Sequence, residues 1–229
     1  LEPVARADTI VFDKPGTLTR ACPKVVQVIP FGGHKETEML RLAACLEEHF
    51  PHPVARAVVR RAEDEGLTHA EEHAEVEYVV AHGIASRLHG KRVLVGSRHY
   101  VGYDEGVDLA PAEDLIRELS GQGRSLLYLA LDGELAGIVA LEDPVRPEAA
   151  AVLTALANRG LSTAMLTGDD ERTAAAVAAR LGIDEYRSHV LPADKVAAVR
   201  QWQEQGHAVL MVGDGINDSP ALSAADAGV

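Results

Sequence analysis

The sequence predicts two fold classes in one chain: an α/β part with a parallel sheet at the two ends, and an α+β part with an antiparallel sheet between them. At both ends, short apolar runs alternate with alanine-rich helical patterns, which is typical of a parallel sheet covered by helices. In the middle, runs of alternating hydrophobicity are joined by hairpin turn signals, which favours antiparallel pairing. Because 229 residues suffice for two modest domains, we expect residues 1–22 and 141–229 to form one domain, with residues 23–140 inserted in it.

The terminal segments contain three predicted strands, each followed by polar residues and glycine. Ligands of open α/β sheets bind beyond the carboxyl ends of the strands, so Asp13, Thr167-Gly168-Asp169 and Asp214 are expected to converge on one crevice. Apolar periodicity places helices between the strands. The predicted strands cover about residues 9–12, 162–166 and 208–212, and the predicted helices about residues 147–158, 171–181 and 193–205.

The middle segment begins with two predicted helices and continues as a sheet. Pro53 is expected to start the second helix, because its fixed φ and missing N–H suit the first helical turn. The tetrapeptides Leu88-His89-Gly90-Lys91 and Leu131-Asp132-Gly133-Glu134 have the residue types of two-residue hairpin turns. The other predicted helices of this segment cover about residues 36–50 and 112–119.

The composition argues against several classes of function. The formal charge of −13 speaks against a nucleic-acid surface, because phosphate backbones are bound by basic patches. No apolar run approaches the ~20 residues of a membrane span and the start resembles no signal peptide, so the chain as given is expected to be a soluble piece. Cys22 and Cys45 form no CxxC motif and are interpreted as small buried side chains in a reducing compartment.

Several residues at predicted strand ends or helix starts have the chemistry of phosphoryl transfer. A Mg²⁺-dependent transfer needs an anionic nucleophile, oxygen ligands for the metal and a fixed positive charge near the phosphate. Asp13 is the candidate nucleophile, Asp214 the second carboxylate on the metal and Lys195 the cation. Thr167 and the amide of Gly168 would donate hydrogen bonds to phosphoryl oxygens. These residue types also populate ordinary turns, but four ordered matches favour a site.

Four motifs occur in a fixed order and carry a resemblance to a known family. They are Asp13-Lys14-Pro15-Gly16-Thr17-Leu18-Thr19, Thr167-Gly168-Asp169, Leu191-Pro192-Ala193-Asp194-Lys195 and Gly213-Asp214-Gly215-Ile216-Asn217-Asp218-Ser219-Pro220-Ala221-Leu222. Together they resemble the phosphorylation domain of P-type ATPases, within the haloacid-dehalogenase superfamily. Asp143 and Arg146-Pro147 resemble the D-x-x-R-P segment with which such chains return to this domain.

The resemblance implies a fold, a cofactor set and a list of site residues. The fold would be a haloacid-dehalogenase-like Rossmannoid parallel sheet that carries the inserted α+β domain. ATP would be the phosphate donor, and Mg²⁺ would be held by Asp13, the carbonyl of Pro15 and Asp214. The implied catalytic residues are Asp13, Lys14, Thr17, Thr167, Gly168, Asp169, Lys195, Asn217 and Asp218.

The inserted segment resembles the nucleotide-binding domain of the heavy-metal-transporting subfamily. That domain has a glutamate followed by His-Pro, then Gly-x-Gly, then Gly-Asn. By resemblance, Glu47 would accept from the adenine amino group, His52 would orient the nucleotide and Gly83 would let it approach the backbone. Ala81 and Ser97 stand where the subfamily has glycine and asparagine, which makes the affinity for ATP an open question. The matching positions are Glu47, His52, Pro53, Ala81, Gly83, Gly96 and Ser97.

One motif is rejected as a catalytic site. His69-Ala70-Glu71-Glu72-His73 fits the H-x-x-E-H pattern of some zinc peptidases. A five-letter pattern with two free positions is common in acidic, histidine-rich sequence, so we interpret the segment as a solvated connector. The ten histidines show no cysteine–histidine ligand spacing, and no transition-metal site is predicted in this chain.

Pro15 permits two interpretations. P-type ATPases usually have threonine at this position, and related phosphatases have an aspartate that serves as general acid and base. Proline can take neither role, and it removes a backbone N–H worth ~1–3 kcal/mol if that donor faces a phosphoryl oxygen. Alternatively, Pro15-Gly16 is simply a tight turn in which proline sets φ and glycine accepts a positive φ.

The leading hypothesis is the phosphorylation and nucleotide-binding portion of a heavy-metal P-type ATPase, a cytoplasmic part of a longer protein of the cell membrane. By resemblance it would work with the actuator and transmembrane domains of that protein, and the transported metal would bind in the membrane. One alternative is a soluble phosphatase of the same superfamily, against which Pro15 argues because no acid or base is present there. Another is a degenerate module that binds ATP without phosphorylation.

Overall fold

The computed structural model describes residues 2–50, 52–67, 77–79, 83–215 and 218–229. Within these residues, no helix combines the length and the apolar character that crossing a membrane requires. The helices are α1 (Glu2–Arg6), α2 (Glu36–Glu47), α3 (Pro53–Asp64), α4 (Glu113–Gly121), α5 (Ala149–Ala157), α6 (Glu171–Leu181), α7 (Lys195–Glu204) and α8 (Ser219–Ala224).

The strands form two separate sheets, one parallel and one antiparallel. They are β1 (Thr9–Asp13), β2 (Lys24–Pro30), β3 (Glu77–Val79), β4 (Gly83–Leu88), β5 (Lys91–Gly96), β6 (Ser125–Leu131), β7 (Glu134–Glu142), β8 (Ser162–Leu166), β9 (Glu185–Arg187), β10 (Val209–Val212) and β11 (Ala227–Gly228).

The chain divides into two compact units. The terminal unit combines Leu1–Ala21 with Asp143–Val229, and the inserted unit is Cys22–Glu142. The terminal unit has a five-stranded parallel sheet with the order β11-β10-β1-β8-β9. The inserted unit has a six-stranded antiparallel sheet with the order β2-β7-β6-β5-β4-β3. The predicted fold class, an α/β sheet with an inserted α+β part, is confirmed.

Strand β1 lies at the centre of the parallel sheet and contributes to both of its apolar faces. Ile10 and Phe12 pack on one face in a core with residues of α5 and α6. Val11 packs on the opposite face with residues of α7, among them Trp202. Successive side chains of a strand alternate between faces, so a continuous apolar run suits a sheet covered on both sides. This covering places Asp13, the last residue of β1, in a buried position.

Helix α6 begins and ends where the sequence predicts, at residues 171 and 181. The Asp170 carboxylate accepts hydrogen bonds from the backbone N–H groups of Arg172 and Thr173, and Gly182 ends the helix with φ 67°. The other predicted helices and strands lie within two residues of their observed bounds, except α2. The prediction that this helix reaches residue 50 is wrong, because it ends at Glu47. Phe50 precedes Pro51 in the sequence, and a residue before proline disfavours the helical conformation.

The inserted unit packs helices on both faces of its sheet. Residues of α2 and α3 cover one face, and Ile116 of α4 packs with Tyr100 and Tyr128 on the other. Both predicted hairpins are present. Leu88 pairs with Lys91 across one two-residue turn, and Leu131 pairs with Glu134 across the other. The central residues of both turns have positive φ, as type I′ turns require.

Candidate active site

The predicted motifs of the terminal unit follow neighbouring parallel strands. In the sheet register Asp13 pairs with Leu166 of β8, and Phe12 pairs with Val212 of β10. The segments that begin at Thr167 and Gly213 therefore leave the sheet at the same edge as Asp13. This is the edge at which open α/β sheets bind ligands.

Lys195 joins two buried carboxylates at this edge. Its Nζ donates to Asp13 Oδ1 at 2.7 Å and to Asp218 Oδ1 at 2.6 Å. Lys195 is the first residue of α7, and Asp218 immediately precedes α8, so one strand and two helix starts supply the three groups. Asp13 is 3% exposed, Lys195 8% and Asp218 0%. Removing Lys195 would therefore leave two buried carboxylates without their cation, which is costly.

The electrostatics of this cluster leave it short of positive charge. Burial raises the pKa of Asp13 to about 6; the hydrogen bond and charge of Lys195 oppose this rise, while Asp218 and Asp214 add to it. Burial by itself would lower the pKa of Lys195, but its hydrogen bonds to Asp13 and Asp218 raise it above the usual value. Lys195 is therefore a firmly held cation. Two carboxylates share it and the charge of Asp214 also acts on Asp13, so a further cation would stabilise the ionised form of Asp13.

A second ion pair ties the residue after Asp13 to the loop that follows β8. Lys14 is buried and pairs with the carboxylate of Asp169. The Thr167 hydroxyl donates to Asp169 Oδ2 at 2.7 Å and accepts from the Asp169 N–H at 3.1 Å. Thr167 therefore uses its proton within the protein. The phosphate-binding role predicted for it requires this hydrogen bond to be exchanged, whereas Gly168 is exposed.

Residues Pro15 and Gly16 form a tight turn directly after Asp13. Their φ and ψ values, −65° and 129° followed by 82° and −27°, are those of a type II turn with proline and glycine at the favoured positions. A Cβ on Gly16 would lie 2.8 Å from Asp214 Oδ2, so glycine is required by both φ and space. The predicted tight turn is thus present, and the Asp214 carboxylate lies against it.

The residues predicted to hold Mg²⁺ suit that ion chemically. Asp13, Asp214 and the Pro15 carbonyl offer the hard oxygen donors that Mg²⁺ prefers, and two carboxylates leave ligand positions for water and phosphate oxygens. Nearby in the same turn, the buried Thr17 hydroxyl has no hydrogen-bond partner among the described residues, as expected for a group that awaits a ligand. Among all the residues that the structure describes, no group of three or more histidine, cysteine or acidic side chains is arranged to hold a metal.

Close packing holds Asp218 in place. A Cβ on Gly213 would lie 2.6 Å from Asp218 Oδ2, and the Asp214 N–H donates to the same oxygen at 3.2 Å. The glycine before Asp214 is therefore needed for Asp218 to reach Lys195. Asn217, which the motif also implicates, lies outside the described residues.

In the inserted unit, Glu47 ends α2 and His52 directly precedes α3. Glu47 is the last residue of α2 and only 8% exposed, and burial raises its pKa to about 7. His52 caps α3, with Nδ1 accepting from the Val54 N–H at 3.3 Å, and Pro53 is the first helical residue. Partial burial of the imidazole and then the charge of Arg56 lower the pKa of His52, although the residue as a whole is exposed. The histidine is thus a neutral helix cap at neutral pH.

The two predicted glycines of this unit are neighbours across β4 and β5. Gly83 pairs with Gly96, and the Ser97 hydroxyl accepts from the Tyr100 N–H at 3.2 Å. A Cβ on Gly83 would lie 2.4 Å from the Tyr100 ring, so packing inside the protein already requires glycine there. Ala81 and the H-x-x-E-H segment at residues 69–73 lie outside the described residues.

A comparison with protein families decides what kind of chain this is. The model of the haloacid dehalogenase-like hydrolases matches residues 7–226, which is nearly the whole sequence. The chain belongs to this family. Its parallel sheet, with Asp13 at the carboxyl end of the central strand, is the part of this haloacid dehalogenase-like hydrolase that carries the clustered site residues.

Within this family the chain is similar to heavy-metal P-type ATPases. It is 44% identical over 233 residues to the manganese-exporting P-type ATPase of Mycobacterium bovis, covering 100% of this chain and 32% of the relative. It is 41% identical over 229 residues to the copper-transporting P-type ATPase of Rhizobium leguminosarum bv. viciae, covering 100% of this chain and 27% of the relative. The chain thus spans about a third of the length of these relatives.

A solved structure supports the same grouping. The catalytic CPx-ATPase domain CopB-B superposes with a TM-score of 0.69 at 30% identity, covering 99% of this chain and 78% of that chain. The resemblance to the catalytic domains of heavy-metal P-type ATPases, first indicated by the motifs, is therefore confirmed.

One residue beside the turn was not among the predicted site residues. The Arg146 guanidinium donates through Nη2 to the Gly16 carbonyl at 2.8 Å. The D-x-x-R-P pattern at residues 143–147 was the available signal. Sequence spacing does not show that an arginine 130 positions away reaches this turn.

Proposed function

We propose that this chain is the ATP-binding, self-phosphorylating catalytic portion of a heavy-metal-translocating P-type ATPase. The observation that carries the proposal is the buried Asp13–Lys195–Asp218 cluster at the carboxyl edge of the parallel sheet, with Asp214 against the adjoining turn. In this proposal the terminal unit is the phosphorylation domain and the inserted unit the nucleotide-binding domain. Membership of the family and the similarity to P-type ATPases support it.

In the proposed reaction, an Asp13 carboxylate oxygen attacks the γ-phosphorus of ATP. A bond forms between that oxygen and phosphorus, the bond from phosphorus to the β,γ-bridging oxygen breaks, and ADP leaves. Lys195 holds Oδ1 of Asp13, and no hydrogen bond from a described residue reaches Oδ2, so we assign the attack to Oδ2. Mg²⁺, held by Asp13, the Pro15 carbonyl and Asp214, would neutralise charge on the transferred group.

The remaining site residues have supporting roles in this proposal. Thr17 and the Gly168 amide donate to phosphoryl oxygens, and Thr167 joins them once its bond to Asp169 is exchanged. Lys14 and Asp169 connect the turn to the β8 loop through their ion pair. Asp218 fixes Lys195 through its hydrogen bond, and Asn217 is a further proposed catalytic residue of the same motif.

In the inserted unit we propose that the nucleotide lies beside the end of α2. Glu47 would accept from the adenine amino group, and His52-Pro53 would orient the nucleotide at the start of α3. The backbone at Gly83, Gly96 and Ser97 would form the adjoining wall, and Ala81 is a further proposed binding residue by resemblance alone. This assignment is supported by the burial of Glu47, whose carboxylate has no ion pair or hydrogen bond among the described residues.

For the whole protein, we propose transport of a transition-metal cation across the cell membrane. The relatives named above export manganese or transport copper, and this chain spans about a third of their length. The partners would be an actuator domain and a membrane domain of the same protein, which would bind the transported ion. The catalytic units would then lie on the cytoplasmic side.

Labelling with ATP tests the proposal. Incubation with Mg²⁺ and ATP labelled at the γ-phosphate is expected to leave label on the protein that hydroxylamine removes, because an acyl phosphate is cleaved by that nucleophile. Asp13→Asn should abolish the label, and Asp194→Asn, an exposed matched control, should retain it. Label that persists in Asp13→Asn would contradict the assigned nucleophile. Release of phosphate from small phosphoesters without trapped label would favour a phosphatase instead, and ATP binding without either would favour a degenerate module.

Pro15→Thr is expected to raise the rate of acyl-phosphate formation about tenfold. Threonine restores a backbone N–H that can face a phosphoryl oxygen, and one such donor is worth ~1–3 kcal/mol. It can adopt the φ and ψ of Pro15, so the turn is retained at a small cost in stability, about 0.4–1 kcal/mol. Quenched-flow measurement of labelling gives the rate. An unchanged rate would show that the proline serves the turn alone.

A further inference from the structure

The turn that follows Asp13 is held from outside by a distant segment of the terminal unit, residues 143–146. The backbone N–H of Arg146 donates to the Leu18 carbonyl at 2.9 Å, and the N–H of Arg20 donates to the Pro144 carbonyl at 3.0 Å. Thr19 and Val145 are paired as an isolated antiparallel bridge. The far end of the turn is thereby fixed to this segment.

Side chains bind the carbonyl groups inside the turn. The Thr19 hydroxyl lies 3.1 Å from the Lys14 carbonyl and 2.5 Å from Asp143 Oδ2, and it donates its single proton to one of them at a time. The Lys14 carbonyl also accepts from the Thr19 N–H at 3.1 Å. The Gly16 carbonyl accepts from Arg146 Nη2 at 2.8 Å.

These contacts leave one carbonyl of the turn available. Of three consecutive carbonyls, those of Lys14 and Gly16 accept hydrogen bonds from Thr19 and Arg146, while no hydrogen bond from a described residue outside the turn reaches that of Pro15. The peptide group between Pro15 and Gly16 is the central one of the type II turn. The place of this peptide group is set by the two flanking peptide groups, and its rotation by ψ of Pro15 and φ of Gly16, for which proline followed by glycine favours the type II values.

We propose that Arg146 is a positioning residue that holds the Pro15 carbonyl in place for a divalent cation by tethering the neighbouring Gly16 carbonyl. Thr19 and Asp143 do the same at the Lys14 end. The inference rests on the proposed function, since it gives the Pro15 carbonyl a metal to bind. The donor to the Gly16 carbonyl is the charged guanidinium of Arg146. A hydrogen bond from a charged donor is stronger than one from a neutral donor, so it is suited to restricting the motion of a turn.

Removing an outer partner of a metal ligand typically costs 10–100-fold in metal affinity. Arg146→Ala is therefore expected to weaken cation binding about tenfold. Arg146→Lys should recover most of the affinity, because an ammonium group can donate one hydrogen bond to the same carbonyl. Thr19→Val should weaken binding and Thr19→Ser should not, since only serine keeps the hydroxyl. Arg159→Ala, at an exposed arginine of the same unit, is the matched control.

The experiment measures binding of Mn²⁺ to the whole chain by the electron paramagnetic resonance signal of the free ion, with Mg²⁺ as competitor and without nucleotide. Unchanged Trp202 fluorescence shows that each variant keeps its fold, because this single tryptophan is buried in the terminal unit. If Arg146→Ala does not fold, the Thr19→Val and Thr19→Ser pair decides. Affinity equal to that of the natural chain in folded Arg146→Ala and Thr19→Val would overturn the inference. Loss of labelling in the natural chain with intact Mn²⁺ binding would instead reject the proposed function alone.

Discussion

Lys195→Met is expected to abolish labelling of Asp13 and to lower the free energy of unfolding of the terminal unit by about 3–5 kcal/mol. The substitution leaves Asp13 and Asp218, which are 3% and 0% exposed, without the cation that both contact. Removing one partner of a buried ion pair costs more than the pair contributes, because the remaining charge stays desolvated. The labelling rate should fall by at least about 100-fold, the usual effect of losing one transition-state donor.

The loss of stability in Lys195→Met should depend on pH in a defined direction. Burial already raises the pKa of Asp13 to about 6 with Lys195 present, and removal of the lysine raises it further. Protonation neutralises the unpaired carboxylate of Asp13, so the destabilisation should be larger at pH 8 than at pH 5.5.

Urea unfolding followed by Trp202 fluorescence measures this effect, because Trp202 lies on the same helix as Lys195 and is fully buried. Lys91→Met, at an exposed lysine of the hairpin between β4 and β5, is the matched control. The double variant Lys195→Met/Asp218→Asn should regain part of the stability and none of the labelling, since it removes one buried charge but restores no cation. Normal labelling in Lys195→Met would exclude the role assigned to this lysine.

Glu47→Gln is expected to remove a pH-dependent loss of stability from the inserted unit. Burial raises the pKa of Glu47 from 4.5 to about 7 in the folded protein. Between these values the unfolded chain releases a proton that the folded protein retains, so the free energy of unfolding falls as the pH rises. The stabilisation is complete below pH 4.5 and is lost as the pH passes about 7, a total of about 3 kcal/mol.

Amide hydrogen exchange of peptides from α2, corrected for the intrinsic exchange rate and measured without nucleotide, reports on this unit. The free energy of unfolding of Glu47→Gln minus that of the natural chain should be larger at pH 8 than at pH 5, because glutamine carries no charge to bury. Glu48→Gln changes the neighbouring exposed residue and should leave the pH dependence intact. Equal pH dependence in Glu47→Gln and the natural chain would show that Glu47 is not the group responsible.

Local signals in the sequence sufficed for most of the fold. Apolar periodicity predicted helix α6 with its correct bounds, at which the structure has Asp170 and Gly182 as caps, and both hairpins were predicted from their His89-Gly90 and Asp132-Gly133 turns. These features depend on residues a few positions apart. Helix α2 was predicted three residues too long, since its apolar pattern continues to Phe50 although the following proline opposes it.

The candidate site was predictable in part, through motifs that follow strands. Asp13, Thr167-Gly168-Asp169 and Asp214 were expected at one edge of the sheet, and the strand register brings their segments to the same edge. The direct contact of Lys195 with both Asp13 and Asp218 was not predicted. The hydrogen-bond partners and packing neighbours of the individual site residues were not predictable. The Thr167 hydroxyl is engaged by Asp169, and Gly83 is required by the Tyr100 ring, because neighbours brought close by folding occupy these positions.

The sequence by itself determined the two fold classes, the polar residues that follow each strand of the parallel sheet and the set of residues proposed for phosphoryl transfer, since these follow from local periodicity and ordered motifs. Only the tertiary structure decided how the groups share charge and hydrogen bonds. Lys195 reaches Asp13 across 182 positions, and Arg146 reaches Gly16 across 130. Such contacts depend on the distances and burial that sheet packing creates, and these set both the pKa of Asp13 and the direction of the turn beside it.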